Sequence, residues 1–266
     1  MATKTVYRQV TFFFFCALAP QLFAVEYYPA GSTLNRSALE FNLKAGLFST
    51  EANVDYQGKK TDLQPDEKFS QTDYLAVLRY GQSSQLEWRG GFRYRQNSSV
   101  DVIGVNQLPA DSAGPESLFA GIKYSFPKSL HWRSALDAQF RKTLYSNQVY
   151  EPTQTPPNDD IVLGDDGMEM KLGGALTYQF AKPYFFNGSL YYVLPPNDLS
   201  HEVDFDLDFT AAFESWWFYV GTRGNYSMNN DAYTKNEEQK PRMSVGATAL
   251  YNSINRETLA AFGGIA

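Results

Sequence analysis

The sequence predicts an all-β fold: an antiparallel transmembrane β-barrel of about twelve strands. Three observations predict it. First, Val203 to Phe209 reads V-D-F-D-L-D-F. In an extended strand this places Val203, Phe205, Leu207 and Phe209 on one face and Asp204, Asp206 and Asp208 on the other. The same apolar/polar alternation recurs along the chain, as in a barrel that meets lipid outside and water inside. Second, short and long connections alternate, as periplasmic turns and external loops do. Third, Trp88, Trp132, Trp216 and Trp217 all follow closely on a short turn. Trp and Tyr concentrate at membrane interfaces, and Phe126, Phe180 and Tyr184 would join the same girdle. A soluble fold gives no reason for that placement.

The N-terminus is a separate object. Lys4 and Arg8 precede an apolar run containing Phe12 to Phe15, and the small Ala24 follows. This is the plan of a secretory signal peptide over 1–24, cleaved after Ala24. The apolar stretch is short for a membrane anchor. The only cysteine, Cys16, lies inside it, so the mature chain would hold neither a disulfide nor a thiolate metal site. A short segment, 25–36, follows, and the barrel occupies 37–266.

About eleven strands are predicted there: 39–49, 72–81, 85–96, 116–126, 130–142, 167–180, 183–194, 201–213, 215–226, 242–252 and 256–265. Most match the ~9–11 residues a tilted strand needs to cross a bilayer. Short turns fall at 82–84, 127–129, 181–182, 214–215 and 253–255. Long connections, rich in Gly, Pro, Asn and Asp, fall at 50–71, 97–115, 143–166, 195–200 and 227–241. If the first strand rises from the short-turn side, the eleventh also rises and ends on the far side. Bacterial barrels usually have an even strand number and no open edge in lipid, so the chain reads as truncated before a twelfth strand.

Composition bounds the function. The mean hydropathy of −0.39 is too polar for a helical membrane bundle. The 23 basic residues less Lys4 and Arg8, against 29 acidic ones, leave a mature net charge of −8. That balance argues against nucleic-acid binding, which needs a basic surface. The expected partners are outer-membrane lipids and an unspecified small-molecule solute.

Assigning faces strand by strand gives the lumen residues. Arg79, Glu87, Arg89, Arg93 and Arg95 point inward from the second and third strands. Lys123, His131, Arg133, Asp137 and Arg141 come from the fourth and fifth, Glu169 and Lys171 from the sixth. Asp204, Asp206 and Asp208 line the eighth, and Arg223 the ninth. The pathway set is Arg79, Glu87, Arg89, Arg93, Arg95, Arg133, Asp204, Asp206, Asp208 and Arg223. A charge on the lipid face would cost roughly 2–4 kcal/mol at the midplane, which is why these residues are placed inside. Arginine dominates one side and aspartate the other. The expectation is a passive pathway for small molecules through a charge-segregated lumen. The alternative is a structural or surface-binding barrel whose lumen salt bridges close.

No cofactor, metal or catalytic residue is expected. His131 and His201 are the only histidines, and neither sits in a serine-hydrolase signature such as G-x-S-x-G. One straight strand rarely wraps an ion, so the three aspartates of the eighth strand do not read as a calcium site. The acidic group Asp159, Asp160, Asp165 and Asp166 reads as a solvated loop.

Three stretches resemble a known family: S-L-F-A-G-I-K-Y-S-F at 117–126, G-D-D-G leading into M-E-M-K-L-G-G-A-L-T-Y at 164–178, and P-Y-F-F-N-G-S-L-Y-Y at 183–192. Over roughly 116–233 the chain resembles a bacterial outer-membrane family associated with the meta-pathway of phenol degradation, itself similar to long-chain fatty-acid channels. The resemblance implies passive passage of small, often hydrophobic molecules and transfers no site residue. Residues 25–36 read as too short for the N-terminal plug of the fatty-acid channels.

Overall fold

The computed structural model describes residues 4–13, 27–54, 60–63, 65–103, 106–146, 163–196, 199–213, 216–229 and 257–265. They form one curled antiparallel sheet of the barrel type. The wall is built from β2 (Leu39–Val54), β4 (Lys68–Gly81), β5 (Leu86–Ile103), β6 (Asn106–Ser125), β7 (Trp132–Thr143), β8 (Met168–Ala181), β9 (Tyr184–Leu194), β10 (Glu202–Ala212), β11 (Trp217–Ser227) and β12 (Glu257–Ile265). Neighbours in sequence are neighbours in the sheet, as short hairpin connections favour. β3 (Lys60–Asp62) pairs with the far end of β2. β1 (Lys4–Phe13), from the stretch read as a leader, pairs with the other edge of β2 in the uncleaved chain.

The alternation read from the sequence sets the two faces. Outside, Leu136, Leu176, Leu190 and Val220 are exposed, 46–61%. Beside the short turns the outward rings touch in a belt. Tyr124 meets Phe126 at 5.5 Å, Trp132 meets Tyr178 at 4.6 Å, Tyr178 meets Phe180 at 4.9 Å, and Tyr184 stacks on Phe209 at 5.9 Å. Inside, the buried set is mostly polar, including Glu87, Asn97, Glu116, Asp137, Thr177 and Asn187.

The structure corrects three expectations about elements. The connection 97–115 is largely strand: β5 and β6 remain paired out to Ile103 and Asn106, with one register shift at Arg93/Tyr94. Asn97 and Ser99, loop-like by type, are buried on the inner face. β2 likewise runs past position 49. The last strand also runs the other way from expected. β12 pairs directly with β11, antiparallel, from Tyr226↔Glu257 to Phe218↔Ile265. It therefore descends toward the short-turn side instead of rising from it. The predicted strand 242–252 lies outside the described residues.

Candidate functional site

Charges on the inner wall are neutralised along the wall, not across the lumen. Arg79 reaches Glu40 on β2 and Glu87 on β5, each at 2.8 Å. Arg95 meets its ladder partner Asp73 at 2.7 Å. Arg141 joins Glu116 and, at 3.1 Å, Glu169. Arg93 approaches Glu116 at only 3.9 Å. Two pairs skip a strand. Lys171 on β8 reaches Asp204 on β10, passing 4.8 Å over the Tyr191 ring of β9. Arg89 on β5 crosses β6 to Asp137 on β7. It does so over Gly121, its ladder partner. A Cβ there would lie 2.8 Å from Arg89 Nε and 2.9 Å from the Ala138 carbonyl. Among the described residues no ion pair spans the lumen.

The expected segregation of an arginine wall from an aspartate wall therefore resolves into local pairs. Arg79, Arg93 and Arg95 have acids on adjacent strands, and Arg89 has one two strands away. Asp208 accepts from Asn187 Nδ2 at 2.8 Å and Thr210 Oγ1 at 2.6 Å. Asp206 is the ladder partner of Arg223, whose guanidinium lies 4.6 Å over the Phe262 ring.

Residues 27–34 run through the lumen at the short-turn end, so the expectation of no plug is overturned. Pro29, Gly31, Thr33 and Leu34 are buried, Leu34 to 1% exposure. The segment's backbone is taken up by wall side chains. Ala30 N donates to Asn187 Oδ1 at 3.3 Å, and Gly31 N donates to Thr177 Oγ1 at 2.9 Å. Lys123 Nζ donates to Ala30 O at 2.6 Å, and Leu34 N donates to Glu87 Oε2 at 2.9 Å. Arg133 donates to Ser32 Oγ at 3.4 Å. Gly31 passes so close to β7 that a Cβ would lie 2.2 Å from the Arg133 carbonyl oxygen. Tyr27 accepts from Asn187 Nδ2 at 2.8 Å, and burial raises its phenol above the ordinary value.

Tyr27 also explains a misassigned tryptophan. Trp88, Trp132 and Trp216 lie on the outer face, 47–61% exposed. Trp217 turns inward, its ring 5.9 Å from Tyr27. Adjacent residues of one strand cannot share a face. His131, expected inside, stands exposed 6.0 Å from outward Tyr178. His201 is exposed where β10 begins, against Tyr192 at 5.5 Å.

At the long-connection end, Leu163 is buried and its carbonyl accepts from Arg95 Nη1 at 2.7 Å. Burial also raises the nearby Tyr145 phenol. Asp159 and Asp160 lie outside the described residues. Between this rim and the plug lies a cavity of about 430 Å³. Arg79, Glu87 and Arg89 of the predicted set line it, together with Glu40, Lys44, Phe119, Lys123, Trp217 and Tyr219. Glu40, Asp73 and Glu116 were missed as partners. Their strands alternate correctly, but one strand's pattern does not give the register that brings each to an arginine.

Comparison of the chain with protein-family models, with curated proteins and with solved structures returns no match.

Proposed function

We propose that the chain is a bacterial outer-membrane barrel that passes small molecules passively, with residues 27–34 closing its short-turn end. The apolar outer face and its aromatic belt support a membrane setting. With the short turns in the periplasm, β5 and β6, 18 and 20 residues long, rise well past the bilayer at ~3.3 Å per residue. The observation that carries the reading is the direction of the ion pairs. They run around the wall, so the charges solvate one another and leave the mid-lumen cavity open. No step of chemistry is needed, and none is proposed.

The second reading is a permanently closed structural or surface-binding barrel. The buried plug favours it. Planar-bilayer conductance of the refolded mature chain separates the two. Passage predicts small or intermittent steps for the intact barrel and larger, sustained ones after deletion of 27–34. A folded barrel that passes neither ions nor small solutes in either form overturns the passive pathway.

A further inference from the structure

We propose that the mid-lumen cavity binds a small organic anion: a carboxylate carried on a compact, flat apolar body. The inference rests on the passage reading and names the solute class that the same lumen selects. Four cations and two carboxylates line the space. Both carboxylates pair with Arg79, Glu40 through Oε1 alone. Glu40 accepts from Arg79 and Asn42, and Glu87 accepts from Arg79 and Leu34 N. The Arg89 charge is taken by Asp137.

Lys123 differs. It is 8% exposed, its ammonium donates to the Ala30 carbonyl, and among the described residues no carboxylate lies within ion-pair distance of it. An ammonium has three donors, so two remain for a ligand. A cationic solute would meet four like charges, against two carboxylates that already pair with Arg79. Phe119, two residues after Ser117 on the same strand face as Lys123, and Tyr219 on the far wall supply flat apolar surface to the same cavity. A space of about 430 Å³ lies in the usual range for small-ligand sites.

Isothermal titration of the refolded mature chain in micelles tests this with benzoate, acetate, benzyl alcohol and benzylammonium. Benzoate should bind at one site per chain, acetate more weakly, and the other two not detectably. Lys123→Gln should weaken benzoate roughly tenfold, about 1.4 kcal/mol, and Lys123→Arg should restore most of it. Since Lys123 also holds the plug, Tyr219→Ala serves as a second variant. It leaves Lys123 in place and should weaken benzoate but not acetate. Benzylammonium binding as well as benzoate, or benzoate binding unchanged in Lys123→Gln, overturns the site. Conductance is read separately. A conducting barrel that ignores benzoate overturns this inference alone, whereas a silent barrel that binds benzoate through Lys123 overturns passage and keeps the site.

Discussion

At the scale of single residues, the lumen separates two arginines that the sequence treats alike. Arg89 and Arg93 both face inward from β5. Arg89 holds Asp137, whose side chain is 1% exposed, whereas Arg93 stands 3.9 Å from Glu116 and is a third exposed. Removing one partner of a buried pair leaves an uncompensated charge, whereas the buried Glu116 keeps Arg141 when the distant, part-exposed Arg93 is lost. Arg89→Gln should therefore cost about 3 kcal/mol and Arg93→Gln under about 1 kcal/mol. Urea unfolding of the refolded variants measures both, and equal losses would refute the distinction. Alternation made the inward direction of either residue legible. Their partners were not legible, because Asp137 lies two strands away, reached only over the bare backbone of Gly121.

At the scale of elements, the strands were legible and the plug was not. A period of two is strong over ten residues, and it located every wall strand that the structure describes. By length alone, 25–36 reads as too short to form a plug of its own. It has no need to. An extended chain reaches at most ~3.3–3.6 Å per residue, so eight residues from 27 to 34 pass from Asn187 on β9 to Glu87 on β5 in one run. The wall supplies the hydrogen-bond partners that a segment this short cannot supply for itself. Gly31→Val should dislodge this strap, because the side chain would enter the Arg133 backbone. The expected outcome is raised single-channel conductance with the wall's unfolding midpoint little changed. A variant that conducts like the parent would show that the segment does not close the lumen. The long connections misled for a related reason: Asn97 and Ser99 suggested a loop, but an inner wall facing water or polar groups accepts them in a strand.

At the scale of the whole molecule, the two ends of the sheet matter most. β2 and β12 are antiparallel to each other, being the first and tenth wall strands. Residues of β2 and β11 already face one cavity. Lipid does not tolerate an unpaired edge. If residues 1–24 are removed as a leader, β1 leaves with them and β12 should pair with β2. A chain without residues 1–24 has no cysteine, so a cysteine scanned along 39–47 against one at position 261 should give a disulfide at one register. A uniform absence of cross-links in the folded protein would refute that closure. The plug has a last consequence. Apart from Pro29, Leu34 and the Tyr27 ring, what it offers the wall is polar, peptide N–H and C=O with the Ser32 and Thr33 hydroxyls, and the wall answers with Glu87, Lys123, Arg133, Thr177 and Asn187. Each of those groups binds water as readily as peptide. On the proposed reading, withdrawing the strap would expose a largely wettable wall, and opening would exchange one polar filling for another.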